Sequence, residues 1–171
     1  MALRTLTKHI YAYSGAGLNV SQDGSSFTMD LSRSPLNIPT HAVNVYATCV
    51  QAGVPPGVES CPILVCSDLV ESSVSPNGSP MPVLAMVMDP AKHVDKGPQC
   101  HKPGFAFRVR ANQALQGENP GFVRFWLMDA NGVPVTVPLD EGGWALQVMI
   151  EWEQQIEVDY LERDIGETQY Y

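Results

Sequence analysis

A chain of 171 residues, 44% of them apolar, is long enough for one domain with a buried core, and this composition excludes a disordered polymer. Fourteen Pro and fourteen Gly are many for a helical protein and suit short strands joined by turns. The net charge is −8, and the ten Lys and Arg do not cluster, which argues against a nucleic-acid-binding face.

In chain order, Met1 to His9 lacks the long apolar stretch of a signal peptide, and no segment approaches the length of a membrane span. Lys8-His9-Ile10-Tyr11-Ala12-Tyr13 is rich in β-formers and breaks at Ser14-Gly15-Ala16-Gly17. Ser26 to Leu31 alternates weakly and reads as a short strand. Ser34 to Pro39 reads as an extended linker, because each Pro pushes its predecessor out of the helical region. His41 to Val50 reads as a strand with Val43, Val45, Ala47 and Cys49 on one face.

Val54-Pro55-Pro56-Gly57 ends that element, and Ile63 to Val70 follows as an apolar run suited to a buried strand. After a loop at Pro76 to Pro80, Val83 to Met88 reads as a second buried strand. Pro90, Pro98 and Pro103 make Asp89 to Gly104 a long loop, and Phe105 to Arg110 a strand. Ala111 to Gly117 has room for one helical turn.

Gly121 to Val137 is the clearest hairpin. Apolar and polar residues alternate up to Met128, Asp129-Ala130-Asn131-Gly132 supplies the turn, and β-branched residues resume. Trp144 to Trp152 is one more strand after Gly142-Gly143. About eight strands with no helix long enough to form a layer predict an all-β fold, a single jelly-roll antiparallel β-sandwich.

No pattern assigns a catalytic, cofactor-binding or metal-binding residue. Cys61, Cys66, Cys100 and His101 are the residues from which a zinc site would have to be built, but they lack the tight pairs such sites use. Free thiols are preferred, with a Cys61–Cys66 bridge left open. A cupin-type metal enzyme needs His-x-His, and His9, His41, His93 and His101 are scattered. Gly15-Ala16-Gly17 lacks the context of a nucleotide loop, and Asp129 to Gly132 lacks the later ligands of a calcium loop. Ser67 and Asp68 have no nucleophile elbow or base motif beside them. Trp126, Trp144 and Trp152 offer a sugar-binding face, with core or interface packing the preferred reading.

Three segments, taken in order, carry a family resemblance. The first runs from Met29-Asp30-Leu31 to Pro35-Leu36-Asn37-Ile38-Pro39. The second is Ile63-Leu64-Val65-Cys66-Ser67-Asp68-Leu69-Val70-Glu71, followed by Pro82-Val83-Leu84-Ala85-Met86-Val87. The third runs from Val123 to Val135 and closes on Trp144 to Trp152. Over residues 26–152 the chain resembles the single-jelly-roll penton (vertex) capsid proteins of virophages, Polinton-like viruses and adenovirus-type double-jelly-roll viruses. Cys66 stands where that family carries an aromatic residue.

The resemblance implies a structural protein of the virion, made in the host cytoplasm or nucleus, with no enzyme activity and no cofactor. Its partners would be copies of itself in a pentamer and the double-jelly-roll major capsid protein, with spike or minor capsid proteins as further candidates. Neither nucleic acid nor a membrane span is expected. The competing reading is a carbohydrate- or receptor-binding jelly roll, lectin-like or a viral spike, resting on Trp144 and the loop from Asp89 to Gly104.

The ends divide from the jelly-roll domain at 26–152. Residues 1–25 form an N-terminal arm and residues 153–171 an acidic tail. From Glu151 to Tyr171 seven acids face one base, a net of −6. Both ends carry apolar anchors among polar residues, and both are expected to order by docking on neighbouring subunits, with a solvated, partly flexible acidic end as the alternative for the tail.

Overall fold

The computed structural model describes residues 2–33, 36, 42–52, 62–74, 78–87, 100–101, 109–110, 112, 119–137 and 143–156. Among them are eleven strands and one turn of 3-10 helix, Ser14–Ala16. In chain order the strands are β1 (Ala2–Tyr13), β2 (Ser26–Asp30), β3 (Ala42–Ala52), β4 (Ile63–Ser67), β5 (Ser73–Val74) and β6 (Pro80–Met81). β7 (Val83–Val87), β8 (Cys100–His101), β9 (Val109–Arg110), β10 (Phe122–Met128) and β11 (Trp144–Ile156) complete the set.

They form two antiparallel sheets packed as a sandwich. The first has the order β1-β11-β3-β8, with β9 also on β3, and the second the order β2-β10-β4-β7. The small β5–β6 ribbon stands apart. The pairing is nested: β1 with β11, β2 with β10, β3 with β8 and β9, β4 with β7. The outermost strands in sequence pair with each other, and so on inward.

The two-residue period places the core between the sheets. On β10, Val123, Phe125 and Leu127 are buried while Phe122 and Arg124 are exposed. On β11, Trp144, Leu146, Val148 and Ile150 are buried and face the same core. Phe27 stacks between Phe125 and Trp144 at centroid distances of 5.6 and 4.8 Å, the latter edge-on. Each such aromatic contributes about 1.5–3 kcal/mol by leaving water.

The hairpin at Asp129 is built as its sequence predicts. Asp129 Oδ1 accepts the N–H groups of Asn131 and Val133, both at 2.8 Å, and Gly132 takes φ of 83°. This is a turn closed by a left-handed glycine, where a Cβ would be strained. Beyond it the returning chain pairs only at Pro134 and then leaves to meet Asp23 through Val137 N–H.

Several expectations shift. The strand expected to start at Lys8 begins at Ala2 and pairs with β11 along its whole length. Residues 2–13 are therefore an edge strand of the sandwich, not an arm outside it. Glu153–Ile156 of the expected acidic tail belong to β11, opposite Thr5 to Ala2. In β3 the expected face holds for Val45 and Ala47, which are buried; two register shifts against β11 interrupt the alternation on either side. Cys100 and His101, expected in a loop, pair with Gln51 and Val50. The linker at 34–39 apart from Leu36, the strand residues 105–108 and the helical turn at 111–117 apart from Asn112 lie outside the described residues, as does 157–171.

Candidate interaction surface

The motif Ser67-Asp68-Leu69-Val70 sits where β4 ends, and its side chains carry the sheet onward. Ser67 Oγ accepts the N–H of Leu69 at 3.2 Å, which folds the chain into a tight turn. Asp68 then lies beside β10, and both of its oxygens accept from the main-chain N–H of Arg124 at 3.2 Å. Asn112 closes the other side, its Nδ2 donating to Asp68 O at 3.0 Å and its main-chain N–H to Leu69 O at 2.8 Å. Burial pushes the Asp68 carboxyl above its ordinary value, opposed by the Arg124 N–H and charge. These residues form a structural clip that ties the end of β4 to β10 and Asn112.

The outer face of the second sheet carries its own small apolar cluster. Leu64 and Cys66 on β4 and Met81 on β6 are buried there, with Val83, Met86, Trp126 and Met128 partly buried around them. The β5–β6 ribbon thus covers part of a face that an isolated sheet would leave wet. Trp126 lies beneath the Arg124 guanidinium, 5.5 Å from ring centroid to Cζ.

This placement separates the residues considered for zinc. The Cys66 thiol faces away from the core, on the far side of the second sheet, while Cys100 and His101 belong to the first. Burial pushes the Cys66 thiol up to about 12. Cys61, His41 and His93 lie outside the described residues. His9 stands exposed on β1, its Nδ1 3.1 Å from Gln147 Nε2.

Trp144 is the other residue the structure reassigns. It is 1% exposed, its Nε1 donates to Gly24 O at 2.9 Å, and its main-chain N–H donates to Ser14 Oγ at 2.9 Å. A side chain so placed anchors the core and offers no platform to a sugar. The signal was present in the sequence, since Trp144 is in phase with Leu146, Val148 and Ile150.

Among the described residues, several outward-facing side chains are exposed. On the first sheet, Tyr11 and Tyr13 of β1 are 71% and 46% exposed. Gln147 Nε2 donates to Tyr11 Oη at 3.3 Å, and Asn44 Nδ2 to Glu151 Oε1 at 3.2 Å, so this outer face is polar and aromatic. On the second sheet, Leu18 and Phe122 are exposed on either side of β2, facing Thr28 and Asp30. No sequence pattern marks these residues as a set, because the pairing that gathers them is long-range. No protein-family model matches this chain, and no curated protein matches it.

Proposed function

We propose that this chain is a capsid protein of the penton type, one of five copies that close an icosahedral vertex and meet the surrounding major capsid protein. The observation that carries the reading is the nested strand pairing. Sheets ordered β1-β11-β3-β8 and β2-β10-β4-β7 support a jelly-roll winding of the sandwich, the fold the resemblance implies. Of the segments that carry the resemblance, Ser67-Asp68 lies at the end of β4, and the Asp129 to Gly132 turn follows β10. A rigid sandwich suits a ring, in which each copy presents one surface to the next and the rotation closes.

A lectin-like role loses one of its two supports with Trp144 in the core; most of the other, the loop from Asp89 to Gly104, lies outside the described residues. The test is a reconstruction of particles that contain the chain, with native mass spectrometry of the purified vertex. A ring of five on the fivefold axes is expected. A position elsewhere in the particle, or a closed dimer, would overturn the proposal.

A further inference from the structure

An aromatic ring binds a ligand best when its face is exposed and the ring is already held in place. Two tyrosines on the outer face of the first sheet meet both conditions. Ile10 and Ala12 are buried, so the two-residue period of β1 turns Thr7, His9, Tyr11 and Tyr13 outward. Tyr11 and Tyr13 are both exposed. Tyr11 is directly opposite Gln147, whose Nε2 donates to Tyr11 Oη at 3.3 Å. Tyr13 rests on Gly15: a Cβ there would stand 2.5 Å from Cε1 and Cζ of the ring and 2.6 Å from its Oη. Gly15 is fixed in its turn. It sits in the 3-10 segment Ser14–Ala16, and Ser14 Oγ accepts the N–H of Trp144 at 2.9 Å.

Polar groups beside the rings narrow what would fit there. Gln147 Nε2 also lies 3.1 Å from His9 Nδ1, so Nδ1 accepts, and the hydrogen of the neutral imidazole falls on Nε2 as a donor. Tyr11 Oη accepts from Gln147 and keeps its own O–H to donate. Aromatic faces beside such donors match a pyranose, which has a face of C–H groups and a rim of hydroxyls. Opposite Thr7, His9, Tyr11 and Tyr13 stand Glu151, Met149, Gln147 and Ala145. None of these eight is Lys or Arg, Glu151 is the acid among them, and Arg4 and Lys8 belong to the other phase of β1. Such a face, on a chain of net charge −8, disfavours sialylated or sulfated sugars. A protein partner fits less well: a tyrosine ring offers about 150–250 Å², and a stable protein interface needs roughly 1,000 Å² or more.

We infer that Tyr11 and Tyr13 form a binding site for a neutral glycan chain, with His9 and Gln147 on its polar side. Two residues apart on one strand, the tyrosines are separated by roughly 7 Å, which lets the rings meet neighbouring sugars of one chain. Gly15 is a positioning residue: any side chain there would push the Tyr13 ring from its seat. The site owes nothing to Trp144, whose ring is in the core. It goes beyond the vertex reading and does not rest on it.

The test applies the purified full chain to an array of neutral glycans, cellohexaose, chitohexaose and lacto-N-tetraose among them, with sialyllactose as the charged control. The strongest neutral hit is then titrated by calorimetry. Binding is expected, and Tyr11→Ala and Gly15→Ala should each weaken it roughly tenfold while melting stays within about 2 °C of the parent chain. Gly15→Ala is the sharper variant, because it keeps both rings and displaces only one. No binding to any neutral glycan, a preference for sialyllactose, or an affinity unchanged by both variants overturns the inference. Protection of residues 9–13 from hydrogen exchange that rises with chain concentration alone also overturns it, because a second copy then occupies the face. A ring of five that binds no glycan would sink this inference and leave the vertex reading standing.

Discussion

Asp68 stands in for a missing strand residue beside Arg124. β4 ends at Ser67, opposite Phe125, so the N–H of Arg124 falls just past the end of the ladder. Both Asp68 oxygens lie 3.2 Å from that nitrogen and supply the acceptor that the shortened strand lacks. Replacing Asp68 with Ala removes a charge-assisted acceptor, and a loss of about 1–2 kcal/mol in unfolding free energy is expected from urea denaturation.

The same carboxylate predicts an unusual pH dependence. Burial raises the native value above 3.8, so in that window the native state holds a proton that the unfolded chain has released. Stability from this group is full below pH 3.8 and falls as pH rises through the native value. Asp68→Asn, which cannot ionise, should therefore gain on the parent chain between pH 3.5 and 7 in paired denaturation curves. A parent chain that gains on the variant over this range would refute the sign.

Trp144 ties the two sheets to the loop before β2. Trp144→Ala removes its ring from Phe27 and its bond to Gly24, and should cost about 3–5 kcal/mol. Trp144→Phe keeps most of the packing but leaves the Gly24 carbonyl without its donor, at about 1–3 kcal/mol. Equal losses for the two would show that packing contributes little at this position.

Two glycines give a contrast in one experiment. A Cβ at Gly17 would lie 2.8 Å from the ring of Phe27, which is 1% exposed and has no room to retreat. Gly17→Ala should cost about 1–3 kcal/mol. At Gly121 nothing lies within 4 Å, and Gly121→Ala should be neutral or slightly stabilising. Thermal melts of the two variants separate these outcomes.

Much of the fold is visible in the chain because its pattern is local. β10 alternates cleanly, its turn is marked by Asp129 and Gly132, and β11 repeats the period from Trp144 to Ile150. β1 is less visible: Leu3 and Leu6 are three apart, Arg4 and Thr5 interrupt the period, and the strand is defined by its pairing with β11. β8 is two residues in a Pro-rich stretch, too short for any period. The run Ile63 to Cys66 is apolar on both faces, which signals burial but does not say that the β5–β6 ribbon provides the outer cover. Sheet order, which sets β1 against β11 and β2 against β10, is long-range and is encoded by no local pattern.

Cys66 should behave as a probe of global unfolding. It is fully buried, and its thiol is pushed up to about 12. In the native protein at pH 8, iodoacetamide should leave Cys66 unmodified over hours, while the denatured chain reacts within minutes. Peptide mapping by mass spectrometry reads this directly. Rapid native alkylation would show that the cover over Leu64 and Cys66 opens without unfolding the sandwich.

Two truncations separate folding from assembly at the C-terminus. Removing 157–171 leaves every β1–β11 pair intact, so the melting temperature should stay within about 2 °C of the full chain. Removing 153–171 also deletes Glu153 to Ile156, the partners of Thr5, Arg4, Leu3 and Ala2. The start of β1 then has no ladder on either side among the described residues, and its amides should exchange at nearly the unfolded rate. The loss is local, because Ile10 and Ala12, which bury β1 in the core, keep Val148 and Leu146 opposite them. Hydrogen exchange of residues 2–6 in the two truncated chains decides the point: equal protection in both would mean that these four pairs do not hold the strand.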